Sequence, residues 1–254
     1  MTVTDTTPAI DTTPATDTFS PIGRTAPIAP EFGLVAVDLY RDIHKGIRAE
    51  LFAVTSSAGS IDPGVRNDRA AVAGHVHSLA AVLESHAHHE DAVIEPALEQ
   101  HLPDLAAKIS DDHERIEASF ARIVDLADSV VDAPDREQRR LTQLLHLDLA
   151  RFTGTYLAHQ DLEEREVMGR LQGAVGEDEV LRMHTAIVGS IPPDEMARSL
   201  AFMLPAMNAD DRADLLGGMR MGAPEEAFEA VVGLARSVLL PADFGVLAGR
   251  LGIV

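Results

Sequence analysis

Four helical seams run through the middle of this chain, and each carries a histidine where the apolar pattern calls for a core residue. His44 stands alone in the first. His86/Glu90, His113/Glu117 and His159/Glu163 repeat the spacing His-x-x-x-Glu in the next three. Residues i and i+4 lie on one helix face about 6 Å apart, so an imidazole and a carboxylate one turn apart reach the same metal pair. Any one of these histidines alone reads as a hydrogen-bonded core residue. Four on facing seams need shared partners, because buried imidazoles and carboxylates are costly without them. The layout is that of a dinuclear metal site inside a four-helix bundle.

The seams themselves define the helices. The first reads Val37, Tyr40, His44, Ile47, Leu51, Val54, the alternating three-and-four spacing of a bundle stripe, and gives way to turn-forming residues between Ser56 and Gly64. The second reads Val72, Val76, Leu79, Leu83, His86, Glu90, Val93, with Pro96 predicted to kink or end it. The third is predicted to start at Pro103-Asp104, to present Ile109, His113, Ile116, Phe120, Ile123 and Ala127, and to stop before Pro134. The fourth runs from about Asp135 through Leu141, Leu145, Leu149, Phe152, Tyr156, His159 and Glu163, and is expected to loosen at Gly169 and Gly173. Short connections favour antiparallel neighbours, hence an all-α, up-down-up-down four-helix bundle. In that topology each histidine lies about 10 residues, or ~15 Å, from one common end. All four would therefore sit at one level.

On either side of the bundle, the texture changes. Residues 1–31 are rich in Thr and Pro, with a near repeat of DTTPA, and read as a flexible arm. Residues 32–175 form the expected bundle. Residues 176–254 hold shorter apolar segments broken by Pro192-Pro193, Pro205, Gly217-Gly218, Pro224 and Pro241, and are expected to be additional short C-terminal helices packed beside it. Acidic residues after Pro193 and Pro224 mark helix starts there.

Composition narrows the chemistry. The 254-residue chain has no cysteine, which removes disulfides and thiolate ligands and leaves only nitrogen and oxygen donors, suited to iron, manganese or zinc. Its formal net charge of -20 repels phosphates, so neither nucleic acid nor an anionic membrane is an expected partner. No apolar run approaches a membrane span, and the first basic residue, Arg24, comes too late for a signal-peptide n-region. A soluble, cytoplasmic protein is expected.

Taken together, His44, HAHHED at 86–91, DHERIE at 112–117 and HQDLEE at 159–164 resemble, in order, the pattern of the hemerythrin-like (HHE cation-binding) family. The resemblance covers about residues 32–172, and the tail resembles the C-terminal extension of many actinobacterial members. It implies a non-haem dinuclear centre, expected to be two iron ions, with His44, His86, His113 and His159 as terminal nitrogen ligands and Glu90 and Glu163 as bridges. Two departures stand out. Glu117 replaces the second helix-3 histidine of the oxygen carriers, and Glu163 and Glu164 stand where the family has an aspartate five residues after the helix-4 histidine. A more carboxylate-rich site is harder and stabilises oxidised metals. That shifts the expected function from oxygen carriage towards dioxygen or peroxide chemistry on a small molecule, or towards sensing of iron, oxygen or nitric oxide. A structural zinc bundle is a further alternative.

Several residues keep two readings. Glu117 is as much a flank-exposed residue as a ligand. His89 rivals His86 if the helix is rotated, while His75 and His88 read as second-layer or solvated. His77, His101, His146 and His184 read as structural or surface residues. Tyr40 and Tyr156, the only tyrosines, each lie one turn from a candidate ligand, as packing residues or as phenols acting on a metal-bound ligand. The tail methionines Met196, Met203, Met207, Met219 and Met221 read as core filler or a ligand groove, and the tail helices as the contact of a homodimer.

Overall fold

The computed structural model describes residues 33–253, which fold into eleven α-helices and one π-helical turn, with no strand among them. The sequence-predicted arm at residues 1–31 lies outside the described residues. Four long helices make the bundle: α1 (Arg41–Ser60), α2 (Arg66–Val93), α4 (Pro103–Val131) and α5 (Asp135–Leu162). They pack in a ring in which α1 touches α2 and α5, and α4 touches the same two. Side-chain contacts fix the registers: Thr55 of α1 meets Thr153 of α5 and His44 meets Glu164 in the π-helical turn that continues α5, while His77 meets Asp128 and Asp91 meets His113 between α2 and α4.

Most boundaries follow local chemistry. Pro96 stands in the first turn of a short helix, α3 (Glu95–His101), so α2 ends at Val93, where a proline would remove an intrahelical donor. Pro103 opens α4, which ends before Pro134, and α5 begins at Asp135, as the sequence predicts; Pro134 is the residue that caps it. Three expectations are corrected. Val37 precedes α1 rather than joining it, because Asp38 accepts from the amides of Tyr40 and Arg41 and starts the helix there. Gly169 and Gly173 do not loosen the fourth helix; they lie inside α6 (Met168–Val175), held by the burial of Val167, Met168 and Leu171. The chain turns only at Gly176, whose φ of 86° suits a residue without a Cβ. Gly217 and Gly218 likewise sit within a continuous α9.

Two apolar clusters divide the bundle. One contains Ile47, Leu51, Val76, Leu83, Ile116, Phe120, Leu149, Phe152 and Tyr156. The other, at the α3 end, gathers Tyr40, Ile94, Leu98, Ile109, Leu162, Val167 and Leu171, and is completed by Val180 and Met183 of α7 (Glu177–Ser190). Burying each such side chain contributes about 1.5–3 kcal/mol. Between the two clusters lies a polar layer.

The remaining helices, α8 (Pro193–Ala206), α9 (Ala209–Gly222), α10 (Glu225–Val238) and α11 (Pro241–Leu251), enclose a third cluster around Leu200, Leu204, Leu216, Phe228 and Leu247. Met196, Met203, Met207 and Met219 pack into it, whereas Met221 is exposed. Helix α8 lies along α1. Among the described residues no helix is long and apolar enough to cross a membrane.

Candidate metal centre

The polar layer is built from the seam positions. Each of His44, His86, Glu90, His113, His159 and Glu163 replaces one apolar residue in its stripe, so helical packing drives all six inward; every one is buried. Their ligand atoms fall into two groups, His44/His86/Glu90/Glu163 and Glu90/His113/His159/Glu163, within each of which the donor atoms lie within 4.8 Å of one another. Both carboxylates belong to both groups.

The geometry shows how they are shared. Glu90 sets Oε1 3.2 Å from His86 Nε2 and Oε2 3.4 Å from His113 Nε2. Glu163 sets Oε2 3.4 Å from His44 Nε2 and Oε1 3.2 Å from His159 Nε2. Each carboxylate thus offers one oxygen to each histidine pair, and all four imidazoles present Nε2 to the centre.

Two of the four outward nitrogens, those of His44 and His113, are held by a second set of acids, while His159 Nδ1 is buried without a hydrogen-bond partner. His44 Nδ1 lies 2.9 Å from Glu164 Oε1, which also accepts from Arg48 at 2.7 Å. Burial pushes the Glu164 carboxyl up, but the hydrogen bonds from His44 and Arg48 outweigh it and hold it at about 2. An ionised carboxylate only accepts, so His44 Nδ1 is the donor, the tautomer that in the neutral ring leaves Nε2 as the lone pair facing the centre. His113 Nδ1 pairs with Asp91 Oδ1 at 3.0 Å in the same way. Such acid-backed imidazoles orient the ligand ring and raise its basicity.

The layer therefore gathers more acceptors than donors. His44 Nε2 stands 3.2 Å from His86 Nε2, and Glu90 Oε1 and Oε2, Glu163 Oε2 and His113 Nε2 are buried without a hydrogen-bond partner. Buried acceptors converging with too few donors are unfavourable unless positive charge stands among them. The protonation preferences carry the same signature. Burial pushes His86 down to about 4, favouring the neutral imidazole a metal needs, whereas His113, which burial alone would lower, is pushed up to about 9 by the adjacent Glu90 carboxylate and the charges of Glu163 and Asp91. The donor set of imidazole and carboxylate fits iron, manganese or zinc.

Not every sequence-predicted residue joins this layer. Glu117 is exposed and belongs to neither group. At that turn of α4 the inward position is taken by Ile116, three residues after His113, and Glu117, the next residue along, turns onto the flank. The rotation of α2 is decided for His86: His89 faces the C-terminal helices, near Ser190 and Glu195. His75 pairs with Glu50, His77 with Asp128, and His146 with the Thr55 carbonyl. Tyr40 and Tyr156 border the layer from opposite clusters, their ring centroids 5.1 Å from His44 and 5.8 Å from His159. Burial first, then the charges of Glu163 and Glu90, push both phenols well above their ordinary range.

Three features escaped sequence reasoning. The chain forms a π-helical turn at Glu163–Val167, beginning on the shared carboxylate, with Met168 N–H donating to Glu163 O. Such wide turns occur mostly inside α-helices and often at functional sites. Across it, Glu163 reaches the centre and Glu164 backs His44. Gln160 is fully buried with both side-chain amide atoms unpartnered, next to His159. The consecutive acids in HQDLEE were the only trace of the first two features; Gln160 left none.

An all-helical bundle enclosing buried histidine and carboxylate groups that could hold metal ions defines a helical metalloprotein. The hemerythrin HHE cation-binding domain model matches residues 35–171, more than half of the chain and all of the polar layer, and the chain belongs to that family. Comparison with curated proteins and with solved structures gives no match.

Proposed function

We propose that the protein is a non-haem dinuclear metalloprotein, in which His44, His86, His113, His159, Glu90 and Glu163 would hold two iron ions, that binds or acts on dioxygen or peroxide in the cytoplasm. The carrying observation is that Glu90 and Glu163 each extend one oxygen to each histidine pair. The contacts of Thr55 with Thr153 and of His77 with Asp128 support the up-down-up-down order that brings the four histidines level. Residues 32–175 would form the metal-binding bundle, residues 176–254 an accessory helical unit.

A redox-active metal pair supplies the Lewis acidity and electrons that oxygen chemistry requires. The chain's own residues do the rest. Glu164 and Asp91 hold the imidazoles of His44 and His113 in register. Tyr40 and Tyr156, kept protonated by burial, stand as phenol donors at the two ends of the layer. The flanking apolar clusters exclude bulk water, which strengthens every polar interaction inside.

Metal analysis with an absorption spectrum of aerobically purified protein tests the reading. Two irons per chain with a near-ultraviolet charge-transfer band, and peroxide consumed over many turnovers, are expected. Iron without turnover would assign the protein to sensing or storage, and stoichiometric colourless zinc would make the bundle structural.

A further inference from the structure

The C-terminal helices touch the bundle at residues that bracket one half of the centre. On α1, Gly46 lets α8 approach closely: a Cβ there would stand 2.6 Å from Phe202 Cδ2 and 3.0 Å from Met203 Cγ. Lys45 reaches Asp211 of α9, and Arg41 Nε lies 3.6 Å from the same carboxylate. On α2, Ser85 donates to Glu195 of α8. His89 sits between Glu195, 3.5 Å from its Nε2, and Ser190, 3.2 Å from its Nδ1. Arg41, Lys45 and Gly46 thus surround His44, while Ser85 and His89 surround His86.

The other half has no such support. Helices α4 and α5, which carry His113 and His159, share no comparable packing with α8–α11 among the described residues. The seam that the tail spans is also the weakest in the ring, since α1 packs less against α2 than any other pair of ring neighbours does. The spacing of α1 and α2 is what sets His44 Nε2 3.2 Å from His86 Nε2.

We infer that α8, α9 and the end of α7 form a clasp across the α1/α2 seam that positions His44 and His86, so that one metal of the pair depends on the tail and the other does not. The inference rests on the dinuclear reading. Its positioning residues are Lys45, Gly46, Ser85, His89, Glu195 and Asp211. Loss of a group that hydrogen-bonds a ligand costs about 10- to 100-fold in metal affinity, and these supports, one step further out, are expected to act at the lower end of that range.

The test is an anaerobic titration of full-length, metal-free protein with ferrous ion, repeated with cobalt(II) so that visible absorption reports each occupied group. The parent is expected to take two ions. In the double variant Lys45→Ala/Glu195→Ala, whose side chains are partly exposed, and separately in Gly46→Ala, one ion should bind at least tenfold more weakly and the other as in the parent. Hydrogen exchange of the metal-free variants should quicken in α1 around His44 and not in α4 around His113. Parent-like binding of both ions, or equal weakening of both, overturns the clasp while leaving the metal reading intact. A parent that binds no metal overturns that reading and the clasp with it. Should Gly46→Ala fail to fold, the double variant decides alone.

Discussion

The bundle and the four-helix unit α8–α11 bury charged residues in opposite ways. In the tail, Arg212 is buried but donates to the carbonyls of Leu204 and Pro205, and Asp211 accepts from Asn208 and Lys45. In the bundle, Glu90 and Glu163 are as deeply buried, yet Glu90 has both oxygens, and Glu163 one, without a hydrogen-bond partner. A satisfied buried charge stabilises a packing arrangement, whereas a cluster of unsatisfied acceptors needs a cation. The first kind of residue holds helices together. The second kind marks the site.

Substitutions that hit only one region break or sharpen this contrast. The largest effect is expected in the layer: His86→Ala or His159→Ala should lower metal content far below the parent, while His101→Ala and His146→Ala leave it unchanged, as elemental analysis of each purified variant will reveal. Full occupancy in both ligand variants would remove the distinction between the regions.

Next in size is a pure packing loss in the tail. Leu247 of α11 is 1% exposed and packs in the third cluster, away from the bundle helices. Leu247→Ala should cost about 2–5 kcal/mol in urea unfolding of the tail, with unchanged metal stoichiometry in the folded protein. A change in stoichiometry would show that core packing in α11 reaches the centre.

Removing the metal should act on the bundle in the reverse sense. An ion present at about 100 times its Kd adds ~2.7 kcal/mol to the state that binds it, so chelation should lower the melting temperature of the bundle by several degrees. Calorimetry that finds the same transition with and without metal would mean that the six residues are not held together by a shared cation. The smallest effect belongs to Glu117→Gln, expected to stay within about 0.5 kcal/mol of the parent and to keep its spectrum, since an exposed side chain outside both groups has nothing to lose. A shifted spectrum would bring the third-helix carboxylate back into the centre.

Much of the layer was legible in advance because the signal was periodic. A histidine set into a run of Leu, Ile and Val at three-and-four spacing has to face where its neighbours face, so His44, His86, His113 and His159 needed no coordinates to be grouped. Glu90 and Glu163 followed by the same rule. The rule failed at Glu117 because the stripe of α4 steps by three there: Ile116 fills the inward position and Glu117, one residue on, falls on the flank.

By itself, then, the sequence determined the helical class, the prolines that open α3, α4 and α5, and the six seam residues that meet in the layer. These are local properties: backbone donors lost to proline, and side chains repeating with the helix period. Only the tertiary structure decided that each of Glu90 and Glu163 divides its oxygens between two histidine pairs, that Glu164 rather than Glu163 backs His44, that α5 widens into a π-turn to allow it, and that α8 settles on Gly46. Those outcomes depend on how far apart two helices stand and how each is rotated about its own axis. That spacing is set by the side chains packed between helices distant in sequence, which no local pattern records.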